Sequence, residues 1–423
     1  MKRLLFIAHR VPYPPDKGER VRAFNEIKAL ATAFRVTLAA LEHGPDDGEA
    51  AAQLKRWCEK VITAPAGGKA GLVRGAVNLV LGKSATEGFF WSGRLLRALL
   101  QEADREPFDL VLAYSSSTLP YALAVPAGAR AIDLIDVDSA KWASYADASR
   151  WPTRWVYRRE GRAVRRLEQQ ALEQCDAVAL VSEAEVRLLD GGSRKVIAVG
   201  NGVDTEYFKP MERPPGRPSL VFTGTMDYRP NVEGVCWFVR EVWPELKRRV
   251  PGLIFTIVGR GPTPEVRRLA EVPGVAVTGT VADVRPYLAE ATMAVVPLRI
   301  ARGIQNKILE AMAMGRAVVA SPAALEGLEV AVGAEALQAD AGQAWQRTIL
   351  DLLADPARRA ALGRAARQRV VADYSWGARM EGLVALCQQV ASGVAAVAVP
   401  QATVESGDTE VRGPAAAPPT RRR

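Results

Sequence analysis

The sequence has few of the residues that build disulfide frameworks and metal centres. Its 423 residues include four cysteines and two histidines. The cysteines lie far apart and form no CxxC pair, so we expect neither a disulfide framework nor a zinc site, and a reducing cytoplasm fits this usage. The two histidines, His9 and His43, are too few for a histidine-rich metal centre.

Long apolar runs are absent as well. No stretch reaches about 18 uninterrupted apolar residues, so we expect no transmembrane helix. The N-terminal stretch MKRLLFIAHRVPYPPDKG has too short an apolar run for a signal peptide and passes directly into proline and charge. It predicts a first buried strand instead.

The remaining composition is that of an ordinary globular protein with an excess of positive charge. Hydrophobic residues make up 48% of the chain and charged residues 24%, and the length suggests about two or three domains. The net charge of +9 and a pI near 9.5 indicate an acidic partner. A phosphate-bearing substrate, a nucleic acid and an anionic membrane surface all fit this charge.

Short apolar runs alternate with helical patterns along the whole chain, which predicts an α/β fold. Runs such as RLLFIAH, RVTLAAL, LVLAYS, SLVFTG, LIFTIVG and MAVVPL are typical of parallel strands that are buried on both faces. They form two series, separated by the Pro- and Gly-rich stretch KPMERPPGRPS at 209–219. We therefore expect two doubly wound, Rossmann-like parallel-sheet domains facing a central cleft, with ligands at the C-terminal ends of the strands.

The stretch ARGIQNKILEAMAMG, which begins at Ala301, is the best candidate for anion chemistry. A lysine at a helix start opposes the helix dipole unless the helix N-terminus faces a bound anion. Backbone N–H groups of residues 305 to 307 would hold a phosphate there, and Lys307 would neutralise it. Glu310, three residues further on the same helical face, is placed to accept hydrogen bonds from ligand hydroxyls. The alternative is a solvated Lys–Glu pair on an amphipathic helix.

This loop and helix resemble the donor-site signature of the retaining glycosyltransferases of family 4, which have the GT-B fold. Further segments match in the same order. NGVD at 201–204 resembles the family's hinge motif, and VFTGTMDYRPN and IVGRGP resemble the first two strand ends of the C-terminal domain. YSW at 374–376 precedes an apolar helix that resembles the family's closing helix. The resemblance covers residues 1 to about 391. HRVPYPPDKGERVRAFNEIKAL and DLIDVDSAKWASYA further resemble the subgroup associated with exosortase and exopolysaccharide systems.

The resemblance implies four units of chain. Residues 1–195 would form the acceptor-side domain and residues 196–373 the nucleotide-sugar-binding domain. Residues 374–391 would form a closing helix that returns to the first domain. The Ala-, Pro- and Gly-rich tail, 392–423, has no periodicity and is predicted to be disordered.

The resemblance also implies the chemistry: a sugar is transferred, with retained configuration, from a UDP- or GDP-linked donor to a glycan or polyprenyl-linked acceptor in surface polysaccharide assembly. No metal ion or resident cofactor is implied, because a helix dipole and basic residues take the place of a divalent cation. Glu310 would hold the ribose hydroxyls. The donor diphosphate would bind to Gln305, Asn306 and Lys307, and Gly18 would approach the diphosphate or the sugar from the first domain. Two further glycines, Gly224 and Gly303, belong to the predicted donor-binding set.

Two motifs depart from the family pattern, at three positions. Thr225 and Pro230 stand where an Arg–Lys pair is usual, and Arg229 is a candidate to supply one of those charges. Arg302 stands where the first of two glutamates is expected, and it would meet the diphosphate or a carboxylated sugar. These departures keep one alternative open, a non-catalytic sugar-nucleotide-binding or membrane-docking subunit. A second alternative is a sugar-nucleotide epimerase or hydrolase of the same fold.

On the acceptor side, Asp136 stands at the end of the run RAIDLID, and Asp138 follows two residues later. A carboxylate at a strand end in the cleft would orient or deprotonate an acceptor hydroxyl. Capping of the next helix by Asp138 or Ser139 is the structural alternative. His9, just past the first strand, either faces the cleft or is a hydrogen-bonded loop residue, and we favour the loop.

Two further stretches bear on the partner. Residues 149–170 interleave tryptophans and a tyrosine with many arginines, and residues 70–100 are apolar and lightly basic. A solvated basic helix and a buried helix are the ordinary interpretations of the two stretches. Together with the high pI they also predict a patch that rests on anionic lipid, in a cytoplasmic protein at the inner face of the membrane. No recognised nucleic-acid-binding motif accompanies the charge, so nucleic acid is not expected as a partner.

Overall fold

The computed structural model describes residues 1–15, 18–190, 195–211, 216–301 and 304–394. The predictions made for Arg302, Gly303 and the tail beyond residue 394 lie outside these residues. Within them the chain folds around two parallel β-sheets, one of seven strands and one of six.

The first sheet has the strand order β3-β2-β1-β4-β5-β6-β7. Its strands are β1 (Lys2–Ala8), β2 (Phe34–Glu42), β3 (Lys60–Pro65), β4 (Phe108–Tyr114), β5 (Ala127–Ile135), β6 (Ala177–Leu180) and β7 (Val196–Ala198). Every residue of β1 after Lys2 is buried. Leu4 and Phe6 belong to the core on one face of the sheet, and Leu5 and Ile7 to the core on the other. The continuous apolar run thus follows from a strand covered on both faces.

The helices of this half are α1 (Gly18–Leu30), α2 (Asp47–Gln53), α3 (Gly68–Val80), α4 (Ala85–Phe90), α5 (Gly93–Arg105), α6 (Leu119–Ala124), α7 (Asp138–Asp147), α8 (Thr153–Gln174) and α9 (Glu183–Asp190). Most of them connect parallel strands, as βαβ units require. Strand order reverses between β1 and β4, so the C-terminal ends of these two strands form a topological switch point.

The second sheet has the order β10-β9-β8-β11-β12-β13. Its strands are β8 (Ser219–Thr223), β9 (Ile254–Val258), β10 (Val275–Val277), β11 (Met293–Val296), β12 (Val318–Ala320) and β13 (Leu337–Gln338). The accompanying helices are α10 (Arg229–Glu241), α11 (Trp243–Arg249), α12 (Pro264–Arg268), α13 (Arg285–Glu290), α14 (Asn306–Ala313), α15 (Pro322–Leu325), α16 (Gly342–Ala354), α17 (Pro356–Arg369) and α18 (Trp376–Ala391). Its switch point lies between β8 and β11. The predicted fold class, two doubly wound parallel-sheet domains, is confirmed.

Helix α18 returns to the first half of the chain, where Met380, Leu383 and Leu386 are part of the core beside β1. The two chain crossings between the sheets lie side by side: the Val203 N–H donates to the Tyr374 carbonyl at 2.7 Å. A Cβ on Gly202 would lie 2.7 Å from the backbone of Trp376, so only glycine allows this approach.

The ordinary interpretation of the apolar segment within residues 70–100 is a buried helix, but part of this segment is exposed. Helix α3 carries an exposed apolar face, and Leu72, Val80 and Leu81 are each more than half exposed. None of the described helices could span a lipid bilayer, because none combines the necessary length with sufficient apolar character.

Candidate functional site

Helix α14 begins at the C-terminal edge of the second sheet, after the loop that follows β11. This edge lies at the switch point between β8 and β11, where ligands of open parallel sheets bind. Gln305 is the N-cap residue of α14, and its side chain does not cap the helix. The first N–H groups of a helix have no partner within it, so those of Asn306 and Lys307 are available at this edge. This is the geometry of an anion-binding helix N-terminus.

Lys307 and Glu310 are both partly buried at this helix start. The Lys307 ammonium donates to Gln305 Oε1 at 3.2 Å and lies 5.7 Å from the centre of the Phe222 ring. Burial lowers the pKa of Lys307. Burial also raises the pKa of Glu310 to about 6, and Lys307 opposes that rise. The two side chains are therefore poorly solvated, unlike the solvated pair of the alternative interpretation.

In the part of the chain that the structure describes, no side chain donates a hydrogen bond to the Glu310 carboxyl group, and the charge that acts on it is that of Lys307. A desolvated carboxylate without a close partner gains most from a ligand that donates hydrogen bonds. The cation at Lys307 and the acceptor at Glu310 thus form a site that complements a phosphate with neighbouring hydroxyl groups.

Gly224 and Gly259, at the ends of β8 and β9, bring two backbones into contact beside this site. The Gly224 N–H donates to the Val258 carbonyl at 3.0 Å. A Cβ on Gly259 would lie 1.6 Å from the Gly224 carbonyl oxygen, and a Cβ on Gly224 would lie 3.3 Å from Lys307 Cε. Gly224 therefore packs directly against the stem of Lys307, and its predicted contact with the donor remains a prediction.

Arg229 lies at the start of α10 with its side chain 85% exposed, and its guanidinium donates to Glu233 at 2.6 Å. A contact with the donor would require that ion pair to open. The polar group that does face inward there is Asn231, which the sequence did not single out. Its amide donates to the Thr225 carbonyl at 2.9 Å, and its buried Oδ1 has no partner among the described residues.

On the other sheet, Asp136 is exposed and Asp138 is partly buried, both just after β5. Asp138 accepts a hydrogen bond from Ser116 Oγ at 3.4 Å. Burial raises the pKa of Asp138, Asp136 adds to that rise, and Lys141 opposes it. The N-cap residue of α7 is Val137, without a side-chain cap. Neither Asp138 nor Ser139 therefore caps α7 with its side chain. The backbone N–H and the hydroxyl group of Ser139 both donate hydrogen bonds to the Glu168 carboxylate.

The backbone around these aspartates is strained. Ser115, after β4, has φ +80°, and Ile135, at the end of β5, has φ +69°. Left-handed conformations in residues other than glycine cost about 1–3 kcal/mol and cluster at functional sites. The two strained strand ends are joined, because the Ser115 N–H donates to the Asp133 carbonyl at 2.7 Å.

His9 lies at the same sheet edge, at the switch point between β1 and β4. Its ring stacks on Tyr114 with 5.8 Å between centres and meets the Phe90 ring edge-on at 5.2 Å. Its Nε2 lies 3.4 Å from the Glu19 carboxylate, and its buried Nδ1 has no partner among the described residues. The contact with Glu19 fits the loop interpretation, and a role of His9 in the cleft, where its Nδ1 would meet a ligand, remains a prediction.

The structure therefore brings the predicted residues together in two groups. Gly224, Gln305, Asn306, Lys307 and Glu310 lie at the edge of the second sheet. Asp136 and Asp138 lie at the edge of the first, as does Gly18, the first residue of α1. A cavity of about 840 Å³ lies elsewhere, under Met314 and the arginines of α17 at the opposite edge of the second sheet. We assign the site to the strand ends, because ligands of parallel sheets bind there.

Comparisons with known proteins found family models that match both halves of the chain. The family model described as Glycosyltransferase Family 4 matches residues 18–207, and the one described as Glycosyl transferases group 1 matches residues 217–355. A search of curated proteins found no match.

Several solved structures share the fold over nearly their whole length. Sucrose-phosphate synthase from Thermosynechococcus elongatus is 19% identical, with 93% of this chain and 100% of that chain covered and a TM-score of 0.64. HepE from Anabaena, in complex with UDP, is 16% identical, with 91% and 99% covered and a TM-score of 0.61. TarM is 10% identical, with 91% and 98% covered and a TM-score of 0.60. Both halves of the chain match glycosyltransferase models, and fold and sequence together support a glycosyltransferase with the GT-B fold.

Proposed function

We propose that this protein transfers a sugar, with retained configuration, from a UDP- or GDP-linked donor to a hydroxyl group of a glycan or polyprenyl-linked acceptor. The observation that carries the proposal is the start of α14, where a desolvated Lys307 and an unpartnered Glu310 carboxyl lie beside open helix N–H groups at the switch point. The solved structures of HepE in complex with UDP-glucose and of a TarM mutant in complex with UDP and α-GlcNAc-glycerol lend support, since these proteins of the same fold bind a uridine nucleotide.

In the proposed donor complex, the diphosphate lies against the N-terminus of α14. The positive end of the helix dipole and the Lys307 ammonium stabilise the charge that develops on the departing nucleoside diphosphate, and no divalent cation is required. Glu310 accepts hydrogen bonds from the ribose hydroxyls. Arg302 and Gly303, outside the described residues, remain predicted contacts to the diphosphate or to a carboxylated sugar.

In the proposed transfer, the bond between the anomeric carbon and the donor phosphate oxygen breaks, and the acceptor oxygen attacks from the same face. The acceptor proton passes to the departing phosphate or to a carboxylate at the first sheet edge. Asp138 suits this role because burial raises its pKa, which makes its carboxylate a better proton acceptor. Asp136 lies beside it and orients the hydroxyl group.

The acceptor class follows from the narrower resemblance to exopolysaccharide-associated transferases, which we propose for this chain. The enzyme would then act in the cytoplasm, at the inner face of the cell membrane. A sugar-nucleotide hydrolase or epimerase would consume the donor without any acceptor, and this outcome separates it from a transferase.

The donor assignment is tested by titration calorimetry with UDP and GDP on the wild type and on Lys307→Ala and Glu310→Ala. We expect each variant to bind the preferred nucleotide at least tenfold more weakly while its circular dichroism is unchanged. Arg248→Ala is a matched control, since Arg248 is exposed and pairs with Glu245 on α11. Unchanged affinity in both α14 variants would refute the donor site.

A further inference from the structure

We propose that the outward face of α3 and the N-terminal part of α8 form a docking surface for an anionic lipid bilayer. We call this surface the α3–α8 face. It identifies an anionic membrane as the binding partner on the acceptor side of the protein. The biological role of this surface, delivery of a lipid-linked acceptor, rests on the proposed function. Membrane binding by the surface does not depend on catalytic activity.

The α3–α8 face is rich in exposed apolar side chains. Eight of the sixteen exposed large apolar residues in the described chain lie in only two segments, 72–81 and 145–155. On and just after α3 they are Leu72 (64% exposed), Val73 (64%), Val77 (51%), Val80 (75%) and Leu81 (68%). Their spacing places them on one stripe of the helix, together with the exposed Ala76. An apolar stripe of this size on a soluble domain marks an interaction surface.

The outward direction of this stripe is enforced by glycines on the opposite side of α3. A Cβ on Gly71 would lie 2.9 Å from the Phe89 carbonyl oxygen, and one on Gly75 would lie 2.9 Å from the Ala85 carbonyl oxygen. A Cβ on Gly88 of α4 would lie 2.8 Å from the Arg74 carbonyl oxygen. Helices α3 and α4 are therefore packed backbone to backbone. Rotation of α3 to hide its apolar residues would drive larger side chains into α4.

Helix α8 extends the surface with aromatic residues. The Arg159 guanidinium donates to the Val80 carbonyl at 2.8 Å and lies 5.6 Å from the centre of the Trp155 ring, so α8 begins directly beside the end of α3. Trp155 is 52% exposed and Trp151 is 82% exposed. Exposed tryptophans are favoured where an apolar phase meets water, as at the headgroup level of a bilayer.

The charge around the apolar stripe selects the partner. Residues 68–83 contain two lysines and one arginine and no acid, and residues 149–166 contain seven arginines and one acid, Glu160. Glu160 is buried and accepts hydrogen bonds from Ser84 and from the Ala85 N–H, so it does not offset the surface charge. An apolar stripe bordered by cations matches the anionic headgroups and acyl chains of a leaflet. It matches a second copy of itself poorly, because the like charges would repel.

The α3–α8 face is also continuous with the acceptor side of the site. A groove of about 300 Å³, lined by Leu72, Ala76, Phe89 and Phe90 among others, runs between α3 and α4. Phe90, one of its lining residues, also contacts the His9 ring, with 5.2 Å between ring centres. An acceptor anchored in the bilayer would thus reach the edge with His9 and Asp138 while its lipid chain remained in apolar surroundings.

Vesicle co-sedimentation with the full chain tests this proposal. The probes are vesicles of phosphatidylcholine alone and of phosphatidylcholine with phosphatidylglycerol. We expect the wild type to bind the anionic vesicles at least tenfold more strongly, and to lose this binding in high salt. The triple variant Leu72→Ser/Val73→Ser/Val77→Ser and the charge variant Arg154→Glu/Arg158→Glu should each lose at least tenfold in vesicle binding. Leu188→Ser and Val332→Ser, also exposed but remote in sequence, are matched controls and should bind like the wild type.

Folding and donor binding are checked in parallel by circular dichroism and by nucleotide calorimetry. If the triple variant loses vesicle binding but keeps its fold and its nucleotide affinity, the docking surface is supported independently of the donor site. Three results would overturn it: wild-type binding that is equal on both vesicle types, vesicle binding that the variants retain, or self-association that the triple substitution abolishes while no vesicle binds.

Discussion

Arg22 and Asp133, which are 111 residues apart in the chain, form a buried ion pair with 2.6 Å between Nη2 and Oδ2. The same guanidinium donates to the Val199 carbonyl at 2.8 Å and to Asn201 Oδ1 at 2.9 Å. One side chain of α1 therefore holds the end of β5, which leads to the candidate catalytic aspartates, and the segment that crosses to the second sheet.

Removal of this arginine is expected to destabilise the protein strongly. The Arg22→Met substitution leaves Asp133 buried beside a second buried carboxyl group, Glu26, whose pKa burial already holds well above its ordinary value. An unpaired buried charge costs about 3–5 kcal/mol of unfolding free energy, which urea denaturation measures. Arg240→Met removes an exposed ion pair with Glu241 and should change the free energy by less than about 1 kcal/mol. Similar values for the two variants would contradict the anchoring role.

The raised pKa of Glu310 has a defined consequence for stability. Its folded-state pKa of about 6 lies above the ordinary value of 4.5, so the folded state binds this proton more tightly. The stabilisation is fully present below pH 4.5 and is lost as the pH rises through about 6. Glu310→Gln should therefore make the ligand-free protein more stable by about 2 kcal/mol at pH 8 and leave it nearly unchanged at pH 4. Denaturation curves at the two pH values check this, and an equal effect at both would contradict it.

The same carboxyl group should make donor affinity depend on pH. An ionised Glu310 accepts hydrogen bonds from ligand hydroxyls better than the protonated form does. Affinity for the preferred nucleotide sugar should rise between pH 5 and pH 7 in the wild type and stay nearly flat in Glu310→Gln. A nucleotide sugar is the right ligand, because its diphosphate has no ionisation in this range. Parallel pH profiles for the two proteins would exclude Glu310 from the site.

The contact between Gly224 and Gly259 predicts a local packing effect. Gly259→Ala would place a methyl group 1.6 Å from the Gly224 carbonyl oxygen, so the strand ends beside Lys307 must separate. We expect a loss of about 1–3 kcal/mol in unfolding free energy together with weaker nucleotide binding. Gly252→Ala is the control, since a Cβ there would meet no atom within 4 Å. Unaltered nucleotide affinity in Gly259→Ala would show that this contact does not shape the donor site.

The acceptor-side aspartates should affect turnover rather than donor binding. Asp138→Asn removes the carboxylate that we propose takes the acceptor's proton, and it should lower kcat by about 100-fold or more, with the calorimetric affinity for the nucleotide unchanged. Asp136→Asn should act mainly through KM for the acceptor. Asp147→Asn, an exposed aspartate at the end of the same helix, serves as the control. Full activity of Asp138→Asn would assign proton transfer to the departing phosphate alone.

Much of the architecture was predictable from the sequence, because it depends on local patterns. RLLFIAH reads as a strand buried on both faces, and β1 has that burial. The sequence predicts a helix start at Gln305 to Lys307, and α14 begins at Asn306. The repeated short apolar runs were sufficient to predict parallel β-sheets and to divide their strands into two sets. The donor sugar, the acceptor and the narrower subgroup remain predictions.

Tertiary structure decided the properties that depend on contacts between distant segments. Arg229 pairs with Glu233 and is exposed to solvent, whereas Asn231 is buried. The His9 ring lies between Phe90 and Tyr114, and the apolar face of α3 is uncovered. A residue's hydrophobicity and helical position define a face, but not what covers that face. The sequence by itself therefore determined the elements and the helix start at the candidate donor site. Packing decided which charges are desolvated and which apolar stripe remains for a partner, since both depend on neighbours far away in the chain.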